Sequence, residues 1–134
     1  MNGIILDTSV IIACEKGRLD LNAWMAKQAH STSNIAAITV SELSYGIERD
    51  DVAARAKARR AWMDEFINAS SVLDFDEDCA RVHATLWAGL ESRGVRIGAH
   101  DMLIAATALH HGMAVATLNV SEFKRIPNLK VITP

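Results

Sequence analysis

Ile4-Ile5-Leu6-Asp7-Thr8-Ser9 sets three consecutive aliphatics directly ahead of an acid and two hydroxyl residues. An apolar run without polar alternation suits a strand buried on both faces, the usual condition of a parallel strand inside a layered sheet. Apolar residues resume at Val10, Ile11 and Ile12, so a helix is predicted from about Ser9 to near Gly17. The opening unit is therefore strand, acid, helix.

The same unit recurs along the chain. The patterning predicts a helix over about 21–30, ending near His30, a strand over 35–38, and a helix over about 40–49. A long alanine-rich helix over 52–67 carries Ala58, Trp62 and Phe66 at i+4 spacing as its buried stripe. A short strand at Val72 and Leu73 precedes a helix over 77–92 that buries Cys79, Val82, Leu86 and Leu90. A helix over 99–111 stops at Gly112, a strand covers 114–118, a short helix starts at Val120, and a strand over 130–132 closes the chain. Strands separated by helices require right-handed crossovers, which gives an α/β fold with a mainly parallel central sheet flanked by helices. With no repeat, no low-complexity tract and only two prolines, the expectation is one domain over residues 1–134.

Composition narrows the function classes. Half of the 134 residues are apolar, and 14 Lys and Arg against 16 Asp and Glu give a net charge of −2. That balance argues against a basic protein coating nucleic acid. No apolar run approaches the length of a membrane span, and Asp7 interrupts the only candidate signal segment. The two cysteines, Cys14 and Cys79, lie far apart in apolar surroundings and read as reduced thiols, which points to the cytoplasm.

The informative residues are the acids. Asp7 ends the first strand, Glu42 is expected in the first turn of the helix over 40–49, Asp101 heads the helix over 99–111, and Asn119 and Glu122 follow the strand over 114–118. Strand-to-helix junctions in a parallel sheet gather at one edge, outside the carboxyl ends of the strands, where ligands bind. Each acid alone fits a capping role, since helix starts favour negative charge. The stretches Thr39-Val40-Ser41-Glu42 and Asn119-Val120-Ser121-Glu122 even match the capping-box spacing. Asp7, however, emerges from a buried strand, and Asp101 heads a helix apolar nearly all round. Like charges gathered at such a place need shared protons or a cation, and a cation is the simpler solution. No Cys/His set at zinc spacing accompanies them. The oxygen donors Asp7, Thr8, Glu42, Asp101, Thr117, Asn119 and Glu122 favour Mg²⁺ or Mn²⁺. Such an ion can position water for attack on a phosphodiester without a side-chain nucleophile.

Four stretches carry a resemblance. Ile4-Ile5-Leu6-Asp7-Thr8-Ser9, then Ile38-Thr39-Val40-Ser41-Glu42-Leu43 with Gly46, then the stretch from His100-Asp101 to Ala108, and Ala116-Thr117-Leu118-Asn119-Val120-Ser121-Glu122-Phe123 occur in that order. Together they resemble the PIN-domain ribonucleases, and among them the VapC-type toxins of bacterial toxin–antitoxin pairs. The resemblance spans essentially the whole chain and implies a Mg²⁺- or Mn²⁺-dependent endoribonuclease. It makes Asp7, Glu42, Asp101 and Glu122 the catalytic and metal-binding acids. Thr117 and Asn119 become supporting residues, and Thr8 an orienter of Asp7. The fourth acid of the family is commonly Asp before Phe. Here Glu122 precedes Phe123, one methylene longer, a length that allows action through water. The resemblance further implies a homodimer, assembly into a larger complex, and a cognate antitoxin (VapB-like) whose C-terminal segment occupies the groove.

Arg49, Arg55 and Arg59 belong to the one basic cluster and are candidates for contact with an RNA backbone or an acidic antitoxin tail, while Arg60 can pair with Asp64 at i+4. The competing reading is a catalytically silent PIN-like domain that binds RNA or a partner protein through the acidic groove. A receiver or phosphatase pocket ranks below both, because Asp7-Thr8-Ser9 offers neither adjacent acids nor Asp-x-Asp.

Overall fold

The strands β1 (Ile4–Leu6), β2 (Ser33–Ala36), β3 (Ser71–Leu73), β4 (Ala114–Ala116) and β5 (Val131–Ile132) form one five-stranded sheet in the order β3-β2-β1-β4-β5. Every pairing is parallel. The computed structural model describes residues 3–28 and 32–134. The connecting helices are α1 (Thr8–Glu15), α2 (Leu21–Ala26), α3 (Ala37–Glu48), α4 (Ala53–Asn68), α5 (Glu77–Ser92), α6 (Ala99–His111) and α7 (Val120–Phe123). The α/β expectation holds in full, and the expected end of the second helix near His30 lies outside the described residues.

Strand pleating explains why the sheet holds two cores. Successive side chains point to opposite faces, so Ile4 and Leu6 join Ile35 and Ala116 on one side, under Val10, Ile11, Leu43, Ile47 and Met63. Ile5 joins Ala36 and Val115 on the other, under Leu90, Met102, Ile104, Ala105, Ala108 and Phe123. Each fully buried aliphatic contributes about 1.5–3 kcal/mol. Because α6 lies flush on its face, Met102 and Ile104 through Ala108 are all buried. Gly112 then ends α6 in the left-handed region at φ 65°, the conformation that glycine adopts at no steric cost.

Three local expectations are corrected. α3 begins at Ala37, three residues earlier than expected, because nothing in Ile35 to Ile38 breaks the chain and the helix starts as soon as β2 runs out. Glu42 therefore lies in the second turn, and Thr39 is a fully buried helical residue with no capping role. On α4 the inward face keeps two residues of the expected stripe, Trp62 and Phe66, but adds Ala56 and Met63 in place of Ala58. Ala58 is exposed, Met63 is buried, and Trp62 and Phe66 stack at 5.2 Å while only partly covered. Arg60 pairs with Glu48 across the α3–α4 interface at 2.6 Å rather than with Asp64, because the packing of the two helices brings a better acid within reach.

β1 is the strand at which the order of connection reverses: β2 and β3 lie to one side, β4 and β5 to the other. A crevice opens between β1 and β4, and ligands in parallel α/β sheets bind at such a switch point. The residues that leave these two strands are Asp7 and Thr117.

Candidate active site

Asp7 is almost fully buried, yet its carboxylate is well supplied with donors. Ser9 Oγ donates to Oδ2 at 2.7 Å, and Thr117 Oγ1 donates to the same oxygen at 2.8 Å. Both hydroxyls are held in turn: Ser9 Oγ accepts from the Leu118 N–H at 3.1 Å, and Thr117 Oγ1 accepts from the Asn119 N–H at 2.8 Å. The end of β4 thus clamps the end of β1, and Oδ1 carries no hydrogen bond among the described residues. Thr8, expected to orient Asp7, instead points the other way and donates to Glu42 Oε1 at 2.7 Å, with the buried Thr39 hydroxyl 3.4 Å away. The cause is helical geometry, since Thr8 opens α1 on the side that faces α3. His100 Nδ1 stands 3.4 Å from Glu42 Oε2 on an exposed side chain.

Asp101 enters from the first turn of α6. Partial burial, and then the negative charges of Asp7, Glu122 and Glu42, push its carboxyl up to about 7. Glu122 is treated in the opposite way. The Gly98 N–H donates to Oε1 at 2.6 Å and Asn119 Nδ2 to Oε2 at 3.1 Å, so its carboxyl is held below the usual range. Gly98 is the meeting point, because a Cβ there would lie 3.3 Å from Glu122 Oε1 and 3.6 Å from Asp101 Oδ2.

All four predicted acids therefore converge on the crevice, with Thr8, Thr117 and Asn119 as their supports. The chemistry of the set is oxygen throughout. An acid driven toward neutrality by partial burial and then by three like charges gains from a hard cation placed among them, so the residues fit a Mg²⁺- or Mn²⁺-type ion. Ser9, Thr39 and the Gly98 N–H were not singled out from sequence. Ser9 carried a readable signal, a hydroxyl two residues after an acid at a helix start. Gly98 carried none, because its role is a backbone N–H contributed 24 residues away from Glu122.

The basic cluster behaves differently from the acids. Arg55 grips Asp50 through Nε and Nη2 at 2.7 and 2.8 Å, and Arg59 reaches Asp50, Glu15 and the Gly46 carbonyl. Arg55 and the Val52 N–H hold the Asp50 carboxyl far below the ordinary carboxylate range. Arg49 stays exposed, its guanidinium 5.4 Å from the Tyr45 ring.

A parallel sheet with carboxylates on hydroxyl supports at its switch point defines a class, and comparison with known proteins names it. The chain belongs to the PIN-domain family, whose model matches residues 4–129. Its relatives include VapC proteins. It is 35% identical over 131 residues to the ribonuclease VapC of Rickettsia bellii, covering 98% of this chain and 96% of that protein. It is 35% identical over 127 residues to the tRNA(fMet)-specific endonuclease VapC of Salmonella typhimurium, covering 95% and 94%. Among solved structures, a chain of DNA-bound VapBC from Salmonella typhimurium superposes with a TM-score of 0.88 at 30% identity, covering 99% of this chain and 98% of that one.

Proposed function

We propose that this protein is a divalent-metal-dependent endoribonuclease that acts as the toxin of a toxin–antitoxin pair. The observation that carries the reading is the convergence of Asp7, Glu42, Asp101 and Glu122 at the β1–β4 switch point, with Asp7 anchored through a single oxygen. Asp7 and Asp101 would hold Mg²⁺ or Mn²⁺, with Glu42 and Glu122 at the margins. The ion would supply a polarised phosphoryl oxygen and an acidified water for hydrolysis of the RNA phosphodiester. The chain's own residues prepare that chemistry. Ser9 and Thr117 fix the Asp7 carboxylate through Oδ2 and leave Oδ1 without a hydrogen bond among the described residues, Thr8 fixes Glu42, and Asn119 with the Gly98 N–H fixes Glu122. Supports of this kind keep the reorganisation cost low during reaction.

The VapBC and FitAB complexes among the structural neighbours support a VapB-like antitoxin as partner; assembly as a homodimer or larger complex is part of the proposal. Setting aside the four site acids leaves twelve acids against fourteen basic residues, so the rest of the surface does not repel RNA. Of the three arginines, Arg49 is the best placed to meet a phosphate, because Arg55 and Arg59 are already engaged by acids. Free cysteines, and no helix long and apolar enough to cross a membrane among the described residues, accord with action in the cytoplasm.

The test is cleavage of RNA by purified protein with Mg²⁺ or Mn²⁺ and after chelation. Cleavage that appears with the ion, stops on chelation and returns on adding the ion back is the expected result. Stoichiometric binding of RNA or antitoxin without turnover would select the catalytically silent reading instead.

A further inference from the structure

A second group of metal-ligating side chains lies at the other end of α6. Nine residues of helix separate Asp101 from His110, roughly 14 Å along the axis at about 1.5 Å per residue. There Cys79 Sγ, a His110 ring nitrogen and a His111 ring nitrogen all lie within 4.8 Å of one another. The three come from two helices that pack side by side: Cys79 from the first turn of α5, the histidines from the last turn of α6. Asp76 and Asp78 each place a carboxylate oxygen within 4.8 Å of His110 as well. Cys79 is fully buried, whereas His110 is exposed, so the cluster joins the edge of the core to solvent and an ion has a route in.

We propose that Cys79, His110 and His111 form a binding site for a borderline-soft divalent transition metal such as Zn²⁺, separate from the acidic groove. The donor types carry the choice of ion. One sulfur and two imidazoles suit Zn²⁺ and Co²⁺ and are poor ligands for Mg²⁺, which takes oxygen. The size is also right. Ligand atoms around a tetrahedral ion at bond lengths of about 2.0–2.3 Å lie roughly 3.5 Å apart, so small side-chain rotations close the cluster. The two aspartates add negative charge beside the ion, and a water completes four-fold coordination. Without an ion the Cys79 thiol is held by a 3.7 Å contact to the Asp74 carbonyl and by the Asp76 carboxylate, and burial keeps it protonated. Binding therefore replaces the S–H bond by a metal–sulfur bond and releases one proton to solvent. The ion would clip the start of α5 to the end of α6, the helix whose opposite end presents Asp101. Sequence spacing hides the site, because Cys79 and His110 are 31 positions apart and meet only through the antiparallel packing of α5 and α6.

The experiment titrates full-length protein with Zn²⁺ and with Co²⁺ in excess Mg²⁺, which occupies the oxygen donors of the groove. The expected result is one Zn²⁺ per chain by metal analysis after dialysis, a rise in Tm, and a thiolate-to-cobalt charge-transfer band for Co²⁺. Cys79→Ala should abolish that band. Substitution of the exposed His110, which the fold does not need, should weaken Zn²⁺ binding by at least about tenfold, a scale reached even when a group behind a ligand is lost. A Co²⁺ complex without the thiolate band, or Zn²⁺ stoichiometry and affinity unchanged in both Cys79→Ala and His110→Ala, would overturn the proposal.

Discussion

The two sides of the acidic groove hold their carboxylates in opposite ways. On the floor, where β1 and β4 end, Asp7 is buried but receives two hydroxyl donors, each tied to backbone. On the wall, at the start of α6, Asp101 is less buried but faces other carboxylates, and its carboxyl is pushed up to about 7. Partial burial is the larger cause of that shift and the neighbouring carboxylates add to it, whereas the floor acid sits among hydroxyl donors.

The largest expected effects test this contrast directly. If both acids serve the proposed chemistry, Asp7→Asn and Asp101→Asn should each lower RNA cleavage by at least about 100-fold, as losing one preorganised electrostatic group does elsewhere. Their stabilities should diverge. Asp7→Asn puts an amide donor beside two hydroxyl donors and should cost about 1 kcal/mol. Asp101→Asn removes a charge that nothing compensates and should raise the Tm of metal-free protein above pH 7. Equal shifts in thermal melts of the two variants would break the comparison.

Next in size is the pH dependence of the wall. The folded carboxyl of Asp101 titrates about 7 against 3.8 for the ordinary group, so between those values the folded state holds a proton that the unfolded state has lost. Stability linked to this group is complete below about 4, falls as pH rises, and levels off above 7. Solvent screening of a half-buried group limits the loss to on the order of 1–2 kcal/mol. Asp50 and Asp76, whose carboxyls are lowered, act with the opposite sign but cancel when wild type is compared with Asp101→Asn, whereas Glu122 is coupled to Asp101 and its response is part of the measured difference. The measurement is denaturant unfolding of both proteins from pH 4 to 8 without metal. The variant's advantage over the wild type should grow between pH 4 and 7, and Mg²⁺ should restore most of the loss in the wild type alone.

The contrast also marks what could be read from the sequence. Asp7 and Asp101 were legible because each interrupts or heads an apolar run, and a charge beside buried strands and helices must have a purpose. The parallel sheet followed from the same runs. Glu42 was legible as an acid at the groove but misplaced by a turn, because no breaker marks where β2 becomes α3 and helix starts without caps leave no trace in the residues. The stripe of α4 was read correctly at Trp62 and Phe66 but not at Ala58, for a related reason. Alanine fits a core and a surface equally well, so the true face is set by Met63 and by the pairing of Arg59 with acids from other elements. Backbone donors such as the Gly98 N–H are beyond any reading of side-chain chemistry.

The smallest expected effect falls on the residue that links floor and wall. Glu122 reaches Asn119 at the end of β4 and the Gly98 N–H just before α6, and the second contact needs the full length of the glutamate chain. Glu122→Asp keeps the charge but withdraws the carboxylate by one methylene, losing the 2.6 Å bond to Gly98. The stability cost should be about 1 kcal/mol, the worth of one hydrogen bond to a charged acceptor near the surface. Cleavage should fall by less than about tenfold, because an acid whose two oxygens are both engaged by donors acts by setting the Gly98 loop and the field around Asp101 rather than by direct ligation. Gly98→Ala sharpens the point, since its new methyl would press on Glu122 Oε1 from 3.3 Å while leaving every carboxylate in place. If Glu122→Asp instead loses as much activity as Asp7→Asn, Glu122 belongs with the acids that hold the ion, and the division between a donor-rich floor and a donor-poor wall no longer describes how the groove works.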